Sequence, residues 1–289
     1  MFHTIDGLKS ISDDYQTFLM DVWGVLHDGQ LLSGALEVLE HLQEQGKKVI
    51  LFSNAPRRCH VAQKNLERLG VARRLYNDIL TSGERTYKFL QELQTNGQVR
   101  EVFHIGPSKD LSLFEDLHVL VGKNANTADW IVCSGTEDIN VKETDMDPLF
   151  HGFLSRDVPM ICANTDRYVS YQGELILCAG ALAQRYKDLG GQVHFFGKPE
   201  KGMYQDAVPK TGATLAVGDS LYTDVQGAMR AGIDVLFIQG GIHRNELGAL
   251  WGEEAVPSAL QQLFTRHNVA EYAAHKTKIY TLPCLRWYK

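Results

Sequence analysis

Four stretches far apart in this sequence each offer a group that could handle phosphate: Asp21, Ser53, Lys198, and Asp219 together with Asp224. A carboxylate can attack phosphorus and carry the phosphoryl group as an aspartyl phosphate. Two negative partners do not approach each other unaided, so a cation is required. Asp21 and Asp219 could share a magnesium ion, a hard cation that takes a few carboxylates, water and a phosphate oxygen. The backbone carbonyl of Trp23 could add a further oxygen. The Ser53 hydroxyl and the amides that follow it, beginning with Asn54, could donate to phosphate oxygens. Lys198 would hold a fixed positive charge against the same oxygens as charge moves in the transition state. Asp224 stands behind these groups, to orient Asp219 or Lys198. Two residues after Asp21, where a second acid might be looked for, stands Trp23, whose indole N–H only donates.

The elements that must position these groups are legible as apolar runs. Thr17–Met20 reads as a strand that delivers Asp21, with Gly24 and Gly29 turning the chain away. Ser33 is a plausible cap for a helix whose Leu36, Leu39 and Leu42 share one face. Val49–Phe52 is a continuous apolar run, as expected of a strand covered on both faces, and it ends at Ser53. A helix over about 57–69 and a short strand at Asp78 follow. Later, 192–196 reads as a strand leading to Gly197-Lys198-Pro199, and 215–217 as one ending in Gly218-Asp219. The strand at 235–239 ends in Gly240-Gly241, and 260–266 is the last clear helix. This β-α-β-α-β rhythm predicts an α/β protein with a Rossmann-like, doubly wound parallel sheet. The strand ends of such a sheet share one edge, so the four groups can converge.

The rhythm changes between about 84 and 190. A helix over 84–93, strand-like runs at 101–105, 128–133 and 158–162, and a helix over 175–189 suggest a smaller α/β unit inserted into the first. The expected division is a core of 1–83 and 191–289 with an inserted cap of 84–190. Residues 1–16 read as a lead-in, and the tail from Tyr272 as apolar packing without chemistry.

Composition narrows the partners. The chain has 289 residues, 44% of them apolar, and a net charge of −6. That balance argues against broad nucleic-acid binding, which wants a basic face. No run approaches the roughly 18 apolar residues of a membrane span, and the first residues carry no signal-peptide pattern. The five cysteines are scattered and form no CxxC, which points to reduced thiols in a cytoplasmic protein rather than a disulfide or zinc framework. No GxGxxG follows any strand, so Gly240-Gly241 is not read as a dinucleotide site.

The four motifs in their order resemble the haloacid dehalogenase superfamily, and within it the class IIA phosphatases. The first motif of that family, Asp-x-Asp-Gly-Val-Leu and then Gly, is matched by Asp21-Val-Trp23-Gly-Val-Leu26-His-Asp-Gly29. The second, an apolar strand ending in Ser or Thr, is matched by Phe52-Ser53-Asn54. Gly-Lys-Pro stands at 197–199, Gly-Asp-x-x-x-Thr-Asp at 218–224, and Ala163-Asn164-Thr165-Asp166 echoes a stretch of the family's cap. The resemblance spans about 15–245. It implies a cap over the site and magnesium-dependent removal of phosphate from a phosphorylated small metabolite, with Asp21 as nucleophile. It also leaves a homodimer through the cap open. The departure is Trp23. In family phosphatases the acid at this position protonates the leaving oxygen and later activates the hydrolytic water, and tryptophan can do neither.

Each residue also has a plainer reading. Asp21 could cap a turn, Ser53-Asn54-Ala-Pro56 could start a helix, Lys198 could be a solvated surface lysine, and Asp224 could be an N-cap. His27 and Asp28 read as flap residues, Asn164 and Asp166 as parts of the hinge between cap and core, and Cys133, Cys162 and Cys178 as small buried hydrophobes. Because of Trp23, a slow phosphatase stands beside two rivals: a phosphometabolite-binding or phospho-aspartate sensor that does not turn over, and cleavage of a bond whose leaving group needs no proton.

Overall fold

The computed structural model describes residues 2–171, 174–249, 251–272 and 277–288. The strands in chain order are β1 (Phe2–Thr4), β2 (Thr17–Met20), β3 (Lys48–Ser53), β4 (Asp78–Thr81), β5 (Glu101–Ile105), β6 (Leu120–Gly122), β7 (Trp130–Cys133), β8 (Met160–Cys162), β9 (Tyr168–Tyr171), β10 (Glu174–Leu177), β11 (Val193–Phe195), β12 (Thr214–Gly218), β13 (Asp234–Ile238) and β14 (Ile279–Leu282). Seven of them form one parallel sheet in the order β1-β14-β13-β12-β2-β3-β4. Five form a smaller parallel sheet, β11-β8-β7-β5-β6, and β9 and β10 pair as an antiparallel hairpin.

Side-chain alternation explains why these apolar runs are strands. In β3, Val49 and Leu51 enter one buried cluster while Ile50 and Phe52 enter another. Phe18 and Met20 likewise oppose Leu19, and Leu236 and Ile238 oppose Val235 and Phe237. A period of two that is apolar on both faces is a sheet sandwiched between two layers. The smaller sheet repeats the design: Ile131 and Cys133 face one cluster and Val132 the other. The helix Ala35–Glu44 closes one face of the larger sheet through Ala35, Val38, Leu39 and Leu42, at helical spacing.

Several expectations need correction. The strand expected at 192–196 is β11, and it pairs with β8 at the edge of the smaller sheet. The chain therefore returns to the larger sheet after Phe196, later than the expected boundary at 191. An apolar run of three residues carries no mark of which sheet it will join. The helix expected from Leu175 begins at Ala179, because Glu174–Leu177 is the second strand of the hairpin; a short apolar run fits either period. Gly34, not Ser33, precedes the helix at Ala35. Residues 1–16 are more than a lead-in, since Phe2–Thr4 is the sheet's edge strand and Leu8 is fully buried. The tail supplies β14, an interior strand, and buries Leu285 and Trp287 as expected of its apolar residues. Within the tail, 273–276 and 289 lie outside the described residues.

Candidate active site

Asp21 and Asp219 extend β2 and β12, which are neighbours in the larger sheet. From β2 the chain winds outward through β3 and β4, and from β12 it winds the other way through β13 and β14. Such a reversal leaves a crevice outside the carboxyl ends of the strands, where ligands of open α/β sheets bind. The Asp21 amide donates to the Val217 carbonyl at 2.8 Å, which fixes the two loops together.

Lys198 reaches this point from the other sheet. It leaves β11 through Phe196 and Gly197, so it is not a strand end of the larger sheet as its motif suggested. Its ammonium nevertheless lies 2.6 Å from Asp21 Oδ1 and 2.7 Å from Asp224 Oδ1, and the residue is only 2% exposed. Asp224 takes the lysine on one oxygen and the Ser220 amide on the other, at 3.2 Å. Asp224 thus aims Lys198 at Asp21. Asp219 accepts the Ile242 amide at 2.8 Å on Oδ2.

Two glycines make room for that carboxylate. A Cβ on Gly24 or Gly241 would fall 2.1 Å or 2.0 Å from Asp219 Oδ2. Gly24 also has φ +78°, a conformation that suits glycine. Gly240-Gly241 carried no chemistry in the sequence, yet Gly241 is what lets the loop after β13 close over Asp219.

The charges do not balance. Asp21, Asp219 and Asp224 are buried around a single ammonium. Burial first, then the Asp224 charge, raises the Asp21 carboxyl well above the usual carboxylate range, although Lys198 pulls the other way. Asp219 is pushed up to about 7 by burial and then by Asp224. Burial works against the Lys198 ammonium, but Asp21, Asp224 and Asp166 outweigh it and hold its proton above the normal lysine range. Carboxylate oxygens of the three aspartates lie within 4.8 Å of one another. A hard, oxygen-only donor set with excess negative charge fits a divalent cation such as magnesium. Because Asp224 is engaged by Lys198 and Ser220, Asp21 and Asp219 are the better placed ligands.

Ser53 and Asn54 sit at the end of β3 and are buried. The Ser53 hydroxyl accepts the Ala55 amide at 3.1 Å, which tightens the turn. The Asn54 side chain is committed elsewhere: its oxygen accepts the Lys198 amide at 2.7 Å, and its nitrogen donates to Asp166 at 2.8 Å. Any role for Asn54 toward phosphate therefore falls to its backbone. Thr165 donates its hydroxyl to the Lys198 carbonyl, and the Ser82 hydroxyl lies 2.7 Å from the carbonyls of both Asn54 and Ala163, with one proton to share between them. The Asn164-Thr165-Asp166 stretch is thus built into the crossing between the two sheets, as the hinge reading holds. Ser82 was missed, and the Ser-Gly pair directly after β4 was the available signal; Thr165 stood in the quoted cap stretch without a role of its own.

Trp23 faces the hairpin. Its indole N–H donates to the Ser170 carbonyl at 3.1 Å, and its ring lies 5.1 Å from His27 and 6.2 Å from Tyr171. Burial lowers the His27 imidazole pKa; the Asp28 charge pulls it the other way, and Arg57 adds a smaller push down. Arg57, in the turn after β3, pairs at 3.0 Å with the buried Asp110 from the loop after β5. These groups line a cavity of about 1430 Å³ between the carboxyl ends of both sheets. That exceeds the ~300–1,000 Å³ typical of ligand pockets, so the space holds more than a phosphate. The hairpin and the Arg57–Asp110 pair left no readable signal in the sequence.

A second cluster, His243, Glu246 and His267, has metal-ligand chemistry and spacing. The Leu221 amide donates to His243 Nε2 at 3.2 Å, so the Nδ1 proton must point to Glu246, 2.7 Å away. A metal at Nδ1 would need that proton removed from a ring whose other nitrogen is already an acceptor. The cluster braces the loop that follows Asp219.

Comparison with known proteins agrees with this geometry. Residues 18–119 match the model of a family described as haloacid dehalogenase-like hydrolase, and 195–263 match a related model described as HAD-hydrolase-like. The chain is 30% identical to the solved structure of a haloacid dehalogenase-like hydrolase from Brucella suis 1330, covering 97% of this chain and 99% of that one, with a TM-score of 0.79. It is 25% identical over 233 residues to the ribonucleotide monophosphatase NagD of Escherichia coli (strain K12), covering 78% of this chain and 87% of that protein. It is 26% identical over 218 residues to the sugar-phosphatase AraL of Bacillus subtilis (strain 168), covering 72% and 76%.

Proposed function

The chain belongs to the haloacid dehalogenase-like hydrolases, and on that premise we propose that it is a magnesium-dependent phosphatase of a small phosphorylated metabolite, working through an aspartyl phosphate on Asp21. It is a phosphoric monoester hydrolase, as relatives named for phosphatase activity on ribonucleotides and sugars support. The observation that carries the mechanism is the buried Lys198 ammonium held between Asp21 and Asp224. An ammonium locked against the nucleophile can meet the phosphate oxygens without reorganising.

Asp21 and Asp219, with the Trp23 carbonyl, would hold the metal. When bound, it would neutralise phosphate charge and let the anionic nucleophile approach. Asp21 attacks phosphorus, Lys198 and the Ser53 hydroxyl hold the equatorial oxygens, and backbone amides from Asn54 onward complete the cradle. The smaller α/β unit, about 84–196, acts as the cap, and its loops select the organic part of the substrate. A cytoplasmic location is supported by five free thiols among the described residues, and among those residues no helix is long and apolar enough to cross a membrane. A homodimer remains part of the reading by analogy with the family.

Trp23 favours one alternative, a protein that accepts a phosphoryl group and holds it as a sensor. General acid–base catalysis is worth about 10²–10⁴-fold, so its loss at this position slows turnover or stalls it. Release of phosphate from small esters, assayed with and without magnesium, decides. We expect metal-dependent turnover that falls by about 10⁴-fold or more in Asp21→Asn. Retained hydrolysis in that variant defeats the mechanism, and a stable acyl phosphate without release supports the sensor.

A further inference from the structure

The position that lies two residues past Asp21 lines the cavity beside the β9–β10 hairpin, and here it carries an indole. Its one proton is already given to the Ser170 carbonyl on the β9–β10 hairpin, at 3.1 Å. Of the other acids along the cavity, Asp110 pairs with Arg57, Glu137 accepts the Ser108 amide at 3.0 Å, Asp166 accepts from Asn54, Asp28 accepts the Gln30 amide at 3.4 Å, and Glu200 is exposed to solvent. The His27 ring packs edge-on against the indole, and its Nδ1 accepts the Gly29 amide at 3.3 Å. What the hairpin side presents instead is aromatic surface, with Tyr171 tilted over Trp23 at 6.2 Å.

We infer that this chain selects phosphates whose leaving oxygen departs as a stable anion, namely aryl, enol and acyl phosphates, over simple alkyl phosphates. The inference rests on the phosphatase reading above and deepens it. An Asp21 oxygen bonds to phosphorus, the bond from phosphorus to the leaving oxygen breaks, and its electron pair stays on that oxygen. A phenolate, enolate or carboxylate leaves as it is and takes a proton, where it needs one, from bulk water. An alkoxide is far too basic to leave in this way without an acid beside it. Water then attacks the aspartyl phosphate, the phosphorus–Asp21 bond breaks, the Asp21 carboxylate is restored, and the water's protons end on phosphate or in solvent. The aromatic wall of Trp23 and Tyr171 suits a flat leaving group through offset or edge contacts.

The test is a leaving-group series on the full chain with magnesium: 4-nitrophenyl, phenyl and acetyl phosphate against glycerol phosphate and an n-alkyl phosphate. We expect kcat/KM to be at least 100-fold higher for the aryl and acyl compounds and to fall steeply as the leaving group becomes more basic. Trp23→Asp should raise the alkyl-to-aryl ratio of kcat/KM at least tenfold, a ratio that a general loss of folding would not move. Equal rates across the series overturn the inference while leaving the phosphatase reading intact. So does a collapse of alkyl turnover alone in His27→Gln or Asp166→Asn, which would assign the missing acid to that residue. Hydrolysis of none of these compounds defeats the phosphatase reading itself and takes the inference with it.

Discussion

The two ends of the cavity are built by different means. At the phosphate end, Asp21, Lys198, Asp219 and Asp224 are all buried, each is held by a partner at 2.6–3.2 Å, and glycines 24 and 241 clear their space. At the leaving-group end, Trp23 is half-buried and its polar partner is a backbone carbonyl on a two-stranded hairpin from the smaller unit. The first end is pre-organised by the ends of β2 and β12 at the reversal point of the larger sheet, with Lys198 brought onto them from β11 and locked there by Asp224. The second is assembled where two units meet, from a short element with few partners. Chemistry that must be geometrically exact sits on the rigid scaffold, and selection is left to the part that can vary.

The largest effect should come from the centre of the phosphate end. Lys198→Met leaves three buried carboxylates without their ammonium. Breaking a buried ion pair costs about 3–5 kcal/mol, and losing a preorganised charge at developing oxyanions costs about 10²–10³ in kcat. Thermal melts and steady-state rates check both, and a variant with near-wild-type kcat would show that the cradle does not depend on this ammonium. Gly241→Ala probes the same end more gently. Its Cβ would fall 2.0 Å from Asp219 Oδ2, so Asp219 must shift, and magnesium affinity by calorimetry should drop about 10–100-fold, the range seen when a ligand's support is disturbed.

A third prediction contrasts the two sheets. Burial lowers the His104 imidazole, at the end of β5 and 2.9 Å from the Ser134 hydroxyl, from 6.5 to about 4. Its folded pKa lies below its unfolded one, so the unfolded chain binds the proton first as pH falls. The smaller unit should therefore lose stability from about pH 6.5 down to about pH 4, by roughly 2 kcal/mol after allowing for partial exposure. Protection against hydrogen exchange, taken relative to the intrinsic rate at each pH, should fall in β5, β7 and β8 over that window while it holds in β2, β3 and β12, and His104→Asn should flatten the dependence. Equal acid sensitivity in both sheets would break the contrast.

How much of this could be read from residues follows the same division. The larger sheet's central strands were legible because Phe18–Met20, Val49–Phe52 and Leu215–Val217 are apolar on both faces. The groups of the phosphate end were legible because each closes such a run or sits in a short fixed frame, as Lys198 does between Gly197 and Pro199. What could not be read is contact between separate units. Lys198 arrives from β11, a three-residue strand with nothing to mark its sheet, and β14 lay in a tail that carried no motif. Ser170 acts through its carbonyl, which every residue possesses, and Arg57 with Asp110 is a pair 53 positions apart. Gly241 acts through the lack of a side chain, which is visible only once Asp219 stands beside it.

The smallest expected effect falls at the leaving-group end and tests what Trp23 does apart from withholding a proton. Trp23→Phe keeps an aromatic face toward His27 and Tyr171 but removes the indole N–H, leaving the Ser170 carbonyl without that donor. One hydrogen bond of this kind contributes about 0.5–1.5 kcal/mol net. The carbonyl lies in a partly buried setting that water can reach, so the lower half of that range applies. Global stability should hardly change, because the hairpin contributes little to either buried sheet. Local opening should change more, and exchange at the Tyr168–Tyr171 amides should rise by a few-fold, up to about tenfold. Since neither Trp nor Phe supplies an acid, the ratio of alkyl to aryl turnover should stay where the wild type has it. If the ratio moves in Trp23→Phe as far as in Trp23→Asp, the tryptophan governs selection by closing the hairpin, and the division between a rigid chemical end and a variable selecting end gives way to a single coupled site.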